Sequence, residues 1–220
     1  MRAHPVSLCL EGRPCVVVGG DPVAEAKTVA LLRAGARVTL VSAELPAGLA
    51  GHVQAGTVRH LARGYRPGDL REAFLAYAVV EDPDVIARLR AEAERERVLL
   101  NVADRPEACT FLSPAVVERG NLQVAVGTGG ASPGLAAALR RELEGRFGPE
   151  YGPFVAILDA VRTALARGPR RGDVLAALLV SPLLDLIRGN RLDEIDRLLA
   201  AVVGEGCTLG RLGVRLEGSA

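Results

Sequence analysis

Three short stretches of this chain carry residue types that do chemistry. The first is Gly19-Gly20-Asp21-Pro22-Val23-Ala24, directly after an apolar run. Glycines at the end of a buried strand let backbone N–H groups approach a pyrophosphate, and the start of the next helix attracts it. The second is Asn101-Val102-Ala103-Asp104-Arg105-Pro106, with one carboxylate just past another apolar run. A carboxylate at a strand's carboxyl end can accept a proton from a bound ligand. An Asp-x-Pro sequence is also an ordinary turn whose side chain bonds its own backbone. The third is Thr128-Gly129-Gly130-Ala131-Ser132-Pro133, far downstream. Small residues there bring N–H groups close to a second anion as another helix opens. Ser132 before Pro133 is equally a plain N-cap and first-turn pair.

The first turn departs from the dinucleotide pattern of the Rossmann type. Gly19 is its first glycine and Ala24 its final small residue, but Asp21 stands where the second glycine belongs. As an N-cap, Asp21 can satisfy helix N–H groups that would otherwise meet a phosphate, and its charge opposes the helix dipole's pull on one. A purely structural strand-to-helix turn is the alternative. The end of the next apolar run reads Val41-Ser42-Ala43-Glu44. Ser42 suits a ribose hydroxyl and Glu44 is the acidic candidate, slightly late in register; Ser42 is also an ordinary helix-start signal. The cofactor-binding candidates are therefore Gly19, Gly20, Asp21, Pro22, Val23, Ser42, Ala43 and Glu44. No Arg sits beside Ser42 to accommodate a 2′-phosphate, although that alone does not decide between NAD and NADP.

The elements that position these residues alternate. Apolar runs at Pro14–Gly19, Arg37–Val41, Val58–Leu61, Ala76–Val80 and Leu99–Val102 read as buried strands. Helical segments follow Asp21-Pro22, to about Ala34, and Asp82-Pro83, to about Arg97. Strands alternating with helices imply a parallel α/β sheet with helices on its faces. Past Asp104 the pattern changes. Ser113–Glu118 and Leu122–Val126 flank Arg119-Gly120-Asn121 as a hairpin, and a long helix runs from Pro133 to about Phe147. Helical patterning then covers Tyr151–Arg167, Val174–Leu179, Ser181–Arg188 and Leu192–Val203, with Gly168-Pro169 as a boundary. The tail from Gly204 is poorly patterned and reads as loosely held. Three parts result: residues 1–112, 113–148 and 149–220.

Composition excludes several classes. The chain has 220 residues, 49% of them hydrophobic, enough for one large core or two small ones. With 27 basic against 26 acidic residues, and 3% aromatics, nothing supports nucleic-acid binding. The densest basic cluster, Arg167, Arg170 and Arg171, reads as a solvated loop; Arg105 and Arg119 are better placed to pair with carboxylates. Cys9, Cys15, Cys109 and Cys207 are too widely spaced for a zinc or disulfide framework, and His4, His52 and His60 lack a metal-ligand spacing. Cys15 reads as core; Cys109 reads as a buried small hydrophobe, or as a group that touches metal in passing. No apolar run is long enough to span a membrane and no secretory leader is visible, so a cytoplasmic location is expected.

Taken together, Val17-Val18-Gly19-Gly20, Val23-Ala24, Lys27, Ala34-Gly35-Ala36-Arg37-Val38-Thr39, Asn101-Val102-Ala103-Asp104, Phe111-Leu112-Ser113-Pro114, Val124–Pro133 and Ser181-Pro182-Leu183-Leu184 resemble the precorrin-2 dehydrogenase/sirohydrochlorin ferrochelatase family. That family is also the N-terminal module of siroheme synthase, and a stand-alone version is expected here. The resemblance implies an NAD-binding domain over 1–112, a dimerisation region over 113–148 and a helical domain over 149–220, assembled as a homodimer. It implies NAD-dependent oxidation of precorrin-2 to sirohydrochlorin, with ferrous iron as a substrate rather than a resident cofactor. The family's essential aspartate falls on Asp104, read here as the general base, and the loop of Thr128, Gly129, Gly130 and Ser132 is read as a cradle for the tetrapyrrole's carboxylates. Some members phosphorylate a serine where this chain has Thr128. Asp21 departs from the family's glycine, which leaves a chelatase with little dehydrogenase activity as one rival reading. A non-catalytic ligand-sensing module is the other.

Overall fold

In the computed structural model, residues 3–166 and 168–216 are described and fall into two compact units, Met1–Ser113 and Pro114–Ala220. Arg167, expected in the basic cluster and at a helix end, lies outside the described residues, as do residues 217–220 of the tail.

The first unit is built on β1 (Pro14–Val18), β2 (Arg37–Ser42), β3 (Val58–Ala62), β4 (Leu75–Ala78) and β5 (Leu99–Val102). All pair parallel, in the order β3-β2-β1-β4-β5. Pleating sends alternate residues to opposite faces. Val16, Val18, Ala76, Ala78, Leu100 and Val102 pack with Leu89 and Ala93 of α3 (Pro83–Glu96). Cys15, Val17, Leu40 and Leu75 pack with Ala24 and Leu31 of α1 (Pro22–Arg33). Burial on both faces explains why β1 is a continuous apolar run. Both helices start at an aspartate followed by proline: Asp21 accepts from the Ala24 N–H, and Asp82 from the Asp84 N–H, each at 2.8 Å. A short helix, α2 (Ala50–Gln54), was not expected; it buries no residue and so leaves no apolar stripe.

Among the buried groups, Glu92 of α3 is 2% exposed. Its carboxylate accepts from the Tyr65 hydroxyl and from the N–H groups of Gly68 (2.9 Å) and Leu70 (3.0 Å). It thereby holds the loop joining β3 to β4. Burial and this carboxylate both push the Tyr65 phenol well above its usual range.

In the second unit, β6 (Ala115–Arg119) and β7 (Leu122–Val126) form the expected antiparallel hairpin, turning at Gly120 (φ +56°) and Asn121. α4 (Pro133–Arg146) packs on it but buries only Ala136, leaving Leu135 and Leu139 exposed. Next come α5 (Tyr151–Ala164), α6 (Pro169–Leu179), α7 (Leu183–Arg188), α8 (Leu192–Val202) and α9 (Leu209–Leu212). They enclose a core including Ile157, Leu178, Leu183, Ile195 and Leu199. α6 starts at Pro169 rather than Val174, because proline at the first helical position initiates a helix even when polar residues follow. The tail differs more from expectation. Leu209 is buried in the same core and its N–H donates to Asp196 at 2.7 Å, so the tail is fastened as far as α9. Among the described residues, no helix is long and apolar enough to cross a membrane.

Candidate functional site

The parallel ladder continues past the strand ends and gathers the first unit's candidate residues along one edge. Gly19 N–H donates to Val41 O (3.0 Å), Val79 N–H to Val18 O (2.7 Å) and Ala103 N–H to Ala78 O (2.9 Å). Open α/β sheets bind ligands at this carboxyl edge, where the order reverses beside the first strand. Here that place lies between β1 and β4.

The turn after β1 is shaped by its glycines. Gly19 has φ +133°, and a Cβ there would lie 2.4 Å from Val79 O. A Cβ on Gly20 would lie 3.0 Å from Glu44 O and 3.2 Å from Ser42 Cβ. The turn is thus wedged against the ends of β2 and β4. Ala24 is fully buried, which lets α1 pack on the sheet. Pro22, Val23, Ala43 and Glu44 stay exposed. Ser42 differs from the expectation of a ribose contact: it is 4% exposed, and its hydroxyl donates to Glu44 O at 2.7 Å beside His60 Nε2 at 3.0 Å. That hydroxyl fastens the loop, and Glu44 is the carboxylate left facing solvent. Sequence reasoning missed His60, which gives no local motif.

Asp104 is exposed, with φ +57°. Left-handed backbone is uncommon for a residue with a Cβ, and Asp tolerates it better than most. Among the described residues its carboxylate has no hydrogen-bond or ion-pair partner, so the side-chain-to-backbone bond that an ordinary Asp turn makes is absent. Cys109 fastens the turn instead. Its sulfur accepts from Val102 N–H at 3.1 Å and lies 3.2 Å from Arg105 O and 3.3 Å from Val102 O. Burial pushes this thiol up, and that of Cys15 up to about 11. On the α1 face, Lys27 Nζ sits 4.9 Å over the Tyr77 ring, and Tyr77 and Ser113 hydroxyls meet at 2.8 Å. Burial pushes Lys27 down.

In the second unit, Gly129 (φ +62°) and Gly130 (φ +84°) are consecutive left-handed glycines. Thr128 Oγ1 accepts from Ser132 N–H and donates to Ser132 O, both at 3.1 Å. Ser132 also caps α4, accepting from Leu135 N–H at 3.3 Å. Arg119 is engaged elsewhere: it donates to Phe147 O (2.9 Å) and Glu118 O (2.8 Å), closing the carboxyl end of α4. Among the described residues, no three His, Cys, Asp or Glu side chains gather as metal ligands.

A family model described as "Putative NAD(P)-binding" matches residues 6–115, half of the chain. The chain belongs to this NAD(P)-binding family. A second model, "Sirohaem biosynthesis protein central", matches residues 119–146, from the hairpin through α4. Curated relatives include a siroheme synthase from Methylobacillus flagellatus, 39% identical over 78% of this chain and 38% of its own length. Another, from Thioalkalivibrio sulfidiphilus, is 35% identical over 94% of this chain and 43% of its own length. The chain thus spans about two-fifths of the curated relatives it matches. Among solved structures, one titled "SirC, precorrin-2 dehydrogenase" shares the fold, with TM-score 0.69 and 23% identity, over 89% of this chain and all of that one. The resemblance read from the sequence, and the α/β fold expected with it, are borne out.

Proposed function

We propose that this NAD(P)-binding protein oxidises precorrin-2 to sirohydrochlorin with NAD, and then inserts ferrous iron to give siroheme. The observation that carries the reading is Asp104: an unpartnered carboxylate, exposed in left-handed backbone at the carboxyl edge of the sheet. Desaturating the macrocycle removes a hydride and a proton, and metal insertion displaces pyrrole protons. One carboxylate at this edge serves as proton acceptor in both steps. Bound NAD supplies the hydride acceptor. The Gly19-Gly20 turn, Pro22, Val23 and the exposed Ala43-Glu44 loop would hold it, with Glu44 on a ribose hydroxyl and Ser42 shaping the loop from inside. Thr128, Gly129, Gly130 and Ser132 bind acidic arms of the tetrapyrrole through loop N–H groups. A phosphate on Thr128 would break its two bonds to Ser132 and repel those arms.

Residues 113–148 form the dimerisation region of a homodimer, and 149–220 a helical domain; the assembly works in the cytoplasm. Supporting this, α4 exposes Leu135 at 52% and Leu139 at 38%, one turn apart. A two-stranded sheet such as β6-β7 also has little stability of its own.

The test is anaerobic incubation of the protein with precorrin-2, with and without NAD, followed by absorbance. NAD-dependent appearance of sirohydrochlorin is expected; absence of conversion and of iron insertion would overturn the reading. A chelatase without dehydrogenase activity is the second reading, and Asp21 favours it. Its carboxylate engages the Ala24 N–H at 2.8 Å and places a negative charge where a pyrophosphate would lie. Asp21→Gly is therefore expected to tighten NAD binding about tenfold by removing that repulsion, with only a few tenths of a kcal/mol lost from the cap. Isothermal titration with NAD measures it. Unchanged affinity would mean the carboxylate does not face the nucleotide.

A further inference from the structure

A cavity of about 220 Å³ opens beside the Asp104 turn, between the first half of α3 and the 3₁₀ turn Pro106–Ala108. Pro83, Ile86 and Ala108 give it apolar walls; Arg90, Arg105 and Glu107 supply its charge. Arg105 directly follows Asp104. Several arginines of this chain are held in ion pairs, Arg63 with Asp69 and Arg191 with Glu194 among them. Arg90 and Arg105 have neither a carboxylate nor a carbonyl partner among the described residues. Asp21, Glu44, Asp82 and Asp104 each follow a strand end at this edge, while Arg63, after β3, is neutralised by Asp69. A ligand bearing several carboxylates is repelled by that edge unless cations receive some of them.

We propose that Arg90 and Arg105 form a carboxylate-binding subsite that grips one acidic arm of the substrate next to Asp104. This rests on the tetrapyrrole reading given above. Guanidinium forks match a carboxylate's two oxygens, and the apolar walls receive the methylenes of the arm. Glu107, on the same cavity, favours a singly charged carboxylate over a doubly charged phosphate. An arm held here limits how far the macrocycle can shift relative to the proton acceptor.

The test titrates the full-length chain with sirohydrochlorin and, separately, with its neutral methyl ester, following fluorescence quenching. Arg90→Gln and Arg105→Gln are each expected to weaken sirohydrochlorin about threefold and the double variant about tenfold. The ester's affinity and that of NAD stay unchanged. Glu107→Gln is expected to tighten sirohydrochlorin about threefold. All three side chains are exposed, so thermal melts should match the parent. The subsite is overturned if the double variant binds sirohydrochlorin as the parent does, if the ester weakens equally, or if NAD binding falls in its place. Should the parent bind no sirohydrochlorin at all, the tetrapyrrole reading fails first, and the subsite with it.

Discussion

Asp104→Asn is expected to lower the rate of anaerobic precorrin-2 oxidation by about 10²–10³-fold, within the range a positioned acid or base contributes. Asn is nearly the same size and tolerates φ near +57° as well as Asp does, so the turn is kept. What it loses is the capacity to accept a proton. The effect should fall on kcat, with KM and NAD affinity within about twofold of the parent. Iron insertion into supplied sirohydrochlorin should fall with it, because the same carboxylate receives the displaced protons. Undiminished kcat would reject the role. Asp104→Ala is the poorer variant, since it also places a side chain with no local hydrogen bonding in left-handed backbone, at about 1 kcal/mol of strain.

Glu92→Ala should destabilise the first unit by about 3 kcal/mol. The substitution strands the Tyr65 hydroxyl and the Gly68 and Leu70 N–H groups without acceptors, and an unsatisfied buried donor costs about 1–3 kcal/mol. Water entering the gap recovers part of the loss. Glu92→Gln keeps one oxygen for the two N–H groups and lets the Tyr65 oxygen accept, so about 1 kcal/mol is expected. Urea unfolding of the full chain measures both. The expected change is confined to the unfolding of the first unit, at unchanged slope. A shift below about 0.5 kcal/mol for the alanine variant would show that the carboxylate is dispensable to the loop.

The sheet was legible because a strand buried on both faces must be apolar throughout, as Cys15-Val16-Val17-Val18 is. The two Asp-Pro helix starts were legible because their chemistry is local. What was not legible depends on contacts distant in sequence. Ser42 reads as an available hydroxyl until His60, on the next strand, and the Glu44 carbonyl are placed around it. Arg119 reads as a free cation until the end of α4 reaches it. The tail reads as loose because α9 contributes a single buried residue, Leu209, too little to make a periodic pattern. Arg90 is one charge among many on α3, and only the 3₁₀ turn beside it makes a cavity. For Asp104 the residue type was visible; its left-handed backbone and the absence of a partner among the described residues were not.

The thiol that ties down the Asp104 turn has a bearing on oxidative damage. Ferrous iron and oxygen together generate peroxide, and peroxide attacks thiolates far faster than thiols. Cys109 is held toward its protonated form and its sulfur is enclosed by carbonyl and N–H groups, so it is a slow target. Cys9 lies exposed on the N-terminal segment, far in sequence from that turn. A sulfenic acid formed at Cys9 leaves the Asp104 turn intact. The same lesion at Cys109 would unfasten it.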